Sequence, residues 1–219
     1  MVTSPVDWVT ISALVAAGGT LVLAGMTYAS VRSANRAARV AERSLLAGLR
    51  PLLNASRADD PPQRVVFRDE RWFEVPGGGA IAETDSEGVY LIISVRNAGT
   101  GLAVLHGWHF EPANAWTDDH APLDTFTRLK RDLYIPPGDI GFWQGAFRDP
   151  TTSQYRDARR AIESREKMTV DVLYGDFEGG QRSISRFAIW PHEEGQWLAA
   201  VGRHWVLDSV DPRDDTSTG

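Results

Sequence analysis

The residues best suited to chemistry in this chain are a few histidines whose spacing is not that of a metal site. His106 and His109 lie three residues apart. In an extended strand this spacing sends the two rings to opposite faces of a sheet, so they are not expected to share a metal ion. The run His192-Glu193-Glu194 lacks the helical spacing that a zinc hydrolase requires. With no cysteine in the chain, thiolate zinc sites are excluded as well, and we expect no metal.

Carboxylates, serines and glycines give no catalytic pattern either. Asp176 and Glu178 lie in a glycine-containing turn, where solvated acids are much commoner than a catalytic pair. Ser183 and Ser185 lack the sequence context of a hydrolase nucleophile. The three glycines at 77–79 lack the lysine and the following helix of a phosphate-binding loop. We expect no catalytic residue and no cofactor.

An uncharged stretch near the amino terminus is the strongest feature of the sequence. Residues 8–31 run for 24 positions without a charged side chain. As a helix, residues 8–28 rise about 31 Å, which matches a hydrocarbon core of about 30 Å. A signal peptide is the competing interpretation, but it has a basic start and a shorter apolar stretch, whereas residues 1–7 contain no Lys or Arg. The pattern predicts one transmembrane helix at residues 8–30.

Arginines follow this stretch on its carboxyl side only. Because basic residues stay on the cytoplasmic side of a membrane, the amino terminus is predicted outside and the carboxyl-terminal part in the cytoplasm, at the inner membrane of a cell. Aromatic residues favour the two interfaces, and the arginines attract anionic lipid head groups. The predicted membrane-interface residues are Trp8, Tyr28, Arg32, Arg36, Arg39 and Arg43.

The helix is predicted to continue through residues 31–50 and to stop at Pro51, since the segment holds good helix formers and no other proline. Small residues recur along it at alternating steps of four and three, as in a helix-association seam. An alanine-rich helix shows small residues on most of its faces even when it does not associate. The stripe therefore has two interpretations: homo-oligomerisation through this helix, or alanine-rich composition alone. The seam residues are Ala13, Ala17, Thr20, Ala24, Thr27, Val31, Ala34 and Ala38.

The charge of the remainder argues against nucleic acid. Residues 1–50 carry five arginines against Asp7 and Glu42, a net charge of +3, so the total of −6 leaves −9 for residues 51–219. An acidic body does not bind phosphate backbones.

Beyond residue 51 the hydrophobic pattern changes from helical to alternating. Val89, Leu91, Ile93 and Val95 share one face, which is typical of a core strand. The same alternation recurs over residues 168–174, where Met168, Val170, Val172 and Tyr174 share a face. Other strands are predicted at residues 52–56, 64–67, 71–75, 102–110, 140–147, 168–174 and 182–190. Seven or eight short strands favour an antiparallel β-sandwich, with a β-barrel as the alternative.

Loops and one helix complete the predicted domain. The glycine-containing loops at residues 97–101 and 176–180 predict two hairpins. A helix capped by Thr151 or Thr152 is predicted as a surface crossover. The predicted organisation is an external amino terminus (1–7), a transmembrane helix (8–30), a basic juxtamembrane helix (31–50), a β-sandwich (51–208) and a disordered acidic tail (209–219).

The chain resembles a known group of proteins in its apolar stretch, in the arginines that follow it and in three short segments. They are residues 95–103, residues 137–138 and residues 174–179. On these the chain resembles a functionally uncharacterised group of bacterial single-pass membrane proteins, whose N-terminal transmembrane helix precedes a C-terminal immunoglobulin-like β-sandwich. Members often place Pro after the second loop glycine, where this chain has Leu102. The resemblance implies the topology described above and transfers no catalytic residue.

Three functional hypotheses follow. The first is a membrane-anchored, non-enzymatic binding or scaffolding protein with an unknown protein partner. The second is a membrane sensor or effector, in which a ligand of the β domain controls association of the anchor helices. The third is an enzyme of unrecognised type. Most tryptophans are expected in the core, and Trp116, in a polar loop, is the candidate for partner binding.

Overall fold

The computed structural model describes residues 8–112 and 117–208. The chain divides into two compact units, Met1–Ala47 and Gly48–Gly219. The predicted external terminus and acidic tail lie outside the described residues.

The first unit is built by a helix. Helix α1 runs unbroken over Trp8–Gly48, which confirms that one helix continues through both predicted segments. It ends two residues before the predicted end, at a glycine, the residue type that most often terminates helices. In the described part of the chain, no helix combines the length and the apolar character that crossing a membrane requires.

The second unit is mainly β, as predicted. Its described residues form eleven strands and one α-helix, α2, at Ser153–Glu163. The strands are β1 Leu53–Ala55, β2 Gln63–Val66, β3 Trp72–Val75, β4 Gly79–Thr84, β5 Val89–Asn97, β6 Ala103–Glu111, β7 Thr127–Ile135, β8 Ile140–Phe147, β9 Met168–Gly175, β10 Arg182–Pro191 and β11 Trp197–Val206.

Nine of these strands form one curled antiparallel sheet. Its order is β1-β5-β4-β11-β10-β9-β6-β7, and β8 pairs with β5. Strands β1 and β8 therefore both pair with β5, for example at Leu53↔Asn97 and at Ile140↔Arg96. The remaining strands, β2 and β3, form a separate hairpin.

The main core lies on the inner face of the sheet. The predicted faces of β5 and of β9 are both buried there, for example Leu91 and Val172. Helix α2 is capped by Thr152, whose hydroxyl accepts a hydrogen bond from the Tyr155 amide, and it buries Tyr155, Ala158 and Ala161. The outer face of β5 is covered by the β2–β3 hairpin, in a smaller cluster of Val65, Phe67, Phe73, Val75, Tyr90 and Ile92.

One predicted hairpin is confirmed and the other is wrong. Strands β9 and β10 pair around the 176–180 turn. Strands β5 and β6, on either side of the 97–101 loop, do not pair with each other, because β5 pairs with β1, β4 and β8 whereas β6 pairs with β7 and β9. The loop is thus a crossover between two parts of the sheet.

Three strands were not expected from the sequence. Strand β4 begins at Gly79, the last glycine of the 77–79 run, and neither it nor β7 and β11 was assigned. Both β6–β7 and β10–β11 contain register shifts, between Leu105 and Gly107 and between Arg186 and Phe187. Such irregularities break the two-residue period from which strands are read.

Candidate functional site

The predicted membrane-interface residues line α1. Tyr28, Arg32, Arg36 and Arg39 are exposed, while the side chains of Trp8 and Arg43 lie outside the described part. The apolar side chains Leu21, Val22, Leu23 and Met26 are each more than half exposed.

The predicted seam is exposed in the same helix. Its described members, from Ala17 to Ala38, all have exposed side chains, and Ala13 is not described beyond its backbone. The Thr20 hydroxyl donates to the Ala16 carbonyl at 2.9 Å, and the Thr27 hydroxyl donates to the Leu23 carbonyl at 2.8 Å. Both hydroxyls are thus used inside the helix. Trp116, the predicted partner-binding residue, lies outside the described residues.

The histidines and acids singled out in the sequence are dispersed. His109 lies 2.9 Å from the Thr125 hydroxyl, and His106 is exposed opposite a bulge in β7. The Asp176 carboxylate accepts a hydrogen bond from the Gly180 amide at 2.8 Å and so stabilises the 176–180 turn. Among the described residues, no group of three His, Asp or Glu side chains is placed to hold a metal ion.

A serine–histidine–asparagine chain lies inside the domain. His204 Nδ1 is 2.8 Å from the Ser185 hydroxyl, and His204 Nε2 is 3.1 Å from Asn54 Oδ1. Ser185 is completely buried, and its hydroxyl also lies 3.0 Å from the Leu53 carbonyl and 3.0 Å from the Tyr174 hydroxyl. A nucleophile must meet its substrate, so this hydroxyl serves to fix β1 against β9 and β10.

A buried ion pair holds the loop after β6. Arg186 contacts both carboxylate oxygens of Asp171, at 2.7 and 2.8 Å. It also donates to the Thr117 hydroxyl at 2.9 Å and to the Asp119 carbonyl at 3.1 Å. An open cavity of about 590 Å³ lies beside this pair. Because the guanidinium is engaged with the protein's own oxygens, the pair secures the loop.

The more distinctive surface is a groove between β7 and β8. A four-residue turn joins these strands, and Ile135 packs tightly on Gly141 beside it, since a Cβ at Gly141 would lie 2.9 Å from the Ile135 side chain. Farther along, β7 pairs only with β6 and β8 only with β5 among the described strands. A cavity of about 150 Å³ lies between residues 127–133 and 144–148. We call it the basic groove.

A bulge in β7 forms one wall of the basic groove. The register of β6 and β7 jumps from Leu105↔Leu133 to Gly107↔Arg128. The four β7 residues 129–132 therefore lie opposite the single residue His106. Bulges of this kind redirect side chains and interrupt strand pairing, and here three of the four bulged residues line the groove.

The charge of the basic groove is of one sign. None of the described residues that line it is acidic. Arg148 pairs with Asp69 at 3.0 Å, but the other cations form no ion pair with any described residue. Arg131 donates weakly to Gln144 at 3.4 Å and lies over the Phe142 ring at 5.7 Å. The cations that line the groove are Arg68, Arg128, Lys130, Arg131 and Arg148.

The floor of the basic groove is apolar and rigid. Trp108 lies there and packs edge-on against Trp143 at 5.3 Å. The two rings can pack in this way because residue 145 is glycine, since a Cβ there would lie 2.8 Å from the Trp143 ring. The volume is below the roughly 300–1,000 Å³ of small-molecule sites. The groove therefore suits one or two side chains of a larger partner.

A second notable region is the segment that follows α1, residues 48–53, which we call the junction. Asn97 is completely buried beside it. Its Nδ2 donates to the Gly101 and Ile135 carbonyls at 2.7 and 2.9 Å, and its Oδ1 accepts from the Leu52 and Gly99 amides at 3.1 and 3.0 Å. These four hydrogen bonds use both donors and both acceptor positions of the Asn97 side-chain amide.

Other contacts fix the junction to the β domain. Arg50 donates to the Gln181 side chain at 2.8 Å, and its carbonyl accepts from the Thr100 amide at 3.1 Å. The Leu53 amide donates to the Tyr174 hydroxyl at 3.3 Å. Burial raises the pKa of Tyr174. Two of the segments that carried the sequence resemblance, residues 95–103 and 174–179, therefore contact the junction.

Sequence reasoning missed the basic groove, although one signal was present. Residues 128–131 hold three cations in an acidic part of the chain, but the facing cations come from distant residues and only the fold brings them together. It also missed Trp72, which is 66% exposed on the β2–β3 hairpin. In contrast, Trp108, Trp143, Trp197 and Trp205 are buried, as expected for most tryptophans.

Comparisons of the chain with protein-family models, with curated proteins and with solved structures found no match.

Proposed function

We propose that this chain is a membrane-anchored, non-enzymatic binding or scaffolding protein. Helix α1 holds it in the inner membrane, with the amino terminus outside, and the β domain binds a protein partner at the cytoplasmic surface. The observation that carries the binding role is the basic groove, where five cations, four of them without an ion pair to any described residue, surround an apolar floor. Membership of the bacterial single-pass group, with its immunoglobulin-like sandwich, is part of the same proposal.

The anchoring role is supported by the sequence and the exposure of α1. Its uncharged stretch of 24 residues has exposed apolar side chains, such as Leu21 and Leu23. Exposed apolar surface of this extent is covered by lipid or by another protein in functional proteins. The arginines that follow are exposed as well and can contact anionic head groups.

Anchoring is tested by placing charges in the helix of the full-length chain. Arginine at the centre of a membrane span costs about 2.5–3.5 kcal/mol. Ala17→Arg with Leu21→Arg is therefore expected to move the protein from the carbonate-resistant membrane fraction to the supernatant. The matched control, Ala37→Arg with Val40→Arg, changes exposed residues beyond the uncharged stretch and is expected to stay in the membrane. A wild-type chain that carbonate releases would contradict anchoring.

Orientation is tested separately with a reporter fused to Gly219. A reporter that is active only in the cytoplasm is expected to work there. Activity of a reporter that works only outside the cell would overturn the proposed topology.

The sensor hypothesis remains a second candidate, and the junction favours it. The junction is hydrogen-bonded to loop 97–101, to Gln181 and to Tyr174. A conformational change in those elements on ligand binding would therefore reach the junction directly. The chain has no cysteine, which allows single-cysteine crosslinking without background. Ala24→Cys, in the predicted seam, is expected to crosslink more than Val22→Cys on another face. Equal crosslinking at both positions would exclude the seam.

A further inference from the structure

We infer that the basic groove binds an acidic, extended segment of a partner protein, which adds as a strand to the free edge of β8. This inference rests on the proposed binding role of the β domain and specifies its partner class. The occupant is a peptide with carboxylate side chains on one face and an apolar side chain on the other.

Strand β8 has one edge that pairs with no described strand. It pairs with β5 over all eight residues from Ile140 to Phe147 without a register shift, so its other edge presents regularly spaced amide and carbonyl groups. An edge strand of this kind is a template for another extended chain. The bulge at residues 129–132 prevents β7 from filling that role, since its own register is interrupted.

The cations of the basic groove determine that the occupant is negatively charged. Arg68, Arg128, Lys130 and Arg131 line the basic groove and have no ion pair with described residues, whereas the whole chain carries −6. Carboxylates placed between these cations form charge-assisted hydrogen bonds. The weak contact of Arg131 with Gln144, at 3.4 Å, is replaced by a stronger one when a carboxylate arrives.

The shape of the basic groove favours a peptide over a lipid head group. The apolar floor at Trp108, Leu129 and Leu133 accepts a side chain of an extended segment, whose alternate residues point to opposite faces. A phosphate head group has no apolar side chain to place there. The volume of about 150 Å³ fits such a side chain and is small for a free cofactor.

The test uses the full chain in nanodiscs of neutral lipid and fluorescein-labelled octapeptides. The probe alternates glutamate with valine, and fluorescence anisotropy measures its dissociation constant. Two control peptides carry lysine in place of glutamate, or N-methyl groups on alternate backbone amides. We expect each control to bind at least about 10-fold more weakly, because one reverses the charge and the other removes the strand's hydrogen-bond donors.

Variants locate the binding in the basic groove. Lys130→Glu with Arg131→Glu is expected to weaken glutamate-peptide binding at least about 10-fold, and Lys130→Gln with Arg131→Gln by a smaller factor. The matched control, Arg156→Glu with Lys167→Glu, reverses two exposed cations outside the groove and should leave the affinity within about twofold.

Three results would overturn the inference. They are a glutamate peptide that binds no better than its lysine counterpart, equal loss of affinity in the groove variant and its control, and unchanged binding of the N-methylated peptide. Binding of phosphatidylserine vesicles at the groove without peptide binding would assign it to lipid instead and would also overturn the inference. Incorporation into nanodiscs, measured by size-exclusion chromatography, reports anchoring independently of these results.

Discussion

The junction and the basic groove use polar groups in opposite ways. At the junction, Asn97 is completely buried and all four of its side-chain hydrogen bonds have partners. In the groove, Lys130 and its neighbouring cations line an open cavity without an ion pair to described residues. A buried polar group without partners is costly, whereas an exposed cation is solvated by water. The junction therefore stabilises the fold, and the groove is free to bind.

The largest expected loss of stability comes from Asn97→Ala. This change leaves two amides and two carbonyls without their partner, and each buried unpaired group costs about 1–3 kcal/mol. We expect the free energy of unfolding of the β domain to fall by about 3–5 kcal/mol. Urea unfolding followed by tryptophan fluorescence measures it. Gln154→Ala, on the exposed face of α2, is the control, and a similar small loss in both variants would contradict the role of Asn97.

A smaller loss is expected from Gly101→Ala. A Cβ at this position would lie 1.6 Å from the Leu49 carbonyl oxygen, so the backbone of the junction has to move. Such overpacking costs about 1–3 kcal/mol. Gly180→Ala is the matched control, because its nearest contact, Asp176, lies at 3.7 Å. If the two variants unfold at the same urea concentration, loop 97–101 does not pack closely on the junction.

Tyr174→Phe is expected to have a third, pH-dependent effect. It removes the hydroxyl that accepts from the Leu53 amide, which costs about 1 kcal/mol at neutral pH. Burial raises the pKa of Tyr174 above its ordinary value of 10.0 in the folded state. Its contribution to stability is therefore complete below pH 10.0 and is lost as the pH rises through the folded value.

Unfolding free energies of the wild type and the variant, measured from about pH 8 to about pH 11, test this effect. The stability of the variant should fall less steeply above about pH 10. Tyr28→Phe, on the exposed face of α1, serves as control. Parallel pH profiles for Tyr174→Phe and the wild type would exclude a raised pKa.

The smallest effect on stability is expected in the basic groove. Lys130→Glu with Arg131→Glu should change the free energy of unfolding by no more than about 0.5 kcal/mol, because neither cation has an ion pair with a described residue to lose. The same urea measurement applies. A loss comparable to that of Asn97→Ala would mean that these cations support the fold, and the contrast between the two regions would disappear.

The sequence predicted the strands whose period is intact. The buried faces of β5 and β9 were identified from alternation alone, and the Thr152 cap located α2. Strands β7 and β11 were missed, because residues 129–132 of β7 and Gly202 of β11 fall outside the register with β6 and β10 and interrupt the period of their strands. The 97–101 loop was read as a hairpin since glycines indicate a turn, but the partners of β5 and β6 are set by distant strands.

The functional regions were harder to predict for the same reason. Loop 97–101 attracted attention by its glycines, yet its contact with residues 48–53 depends on packing between distant segments. The basic groove joins Arg68, residues 127–133 and residues 144–148, and only the curl of the sheet brings these together. Local patterns identify elements, whereas both regions are made by contacts between elements.

The chain order of the junction has a consequence for biosynthesis. Arg50 and Leu53 contact Gln181 and Ser185, which follow 131 and 132 residues later. At about 5–20 residues per second, a ribosome needs roughly 10 s to supply those later residues. Helix α1 emerges well before the segments that fix the junction. The nascent chain thus exposes α1 while the residues that fix the junction are still to be made, so the β domain closes on the junction only late in synthesis.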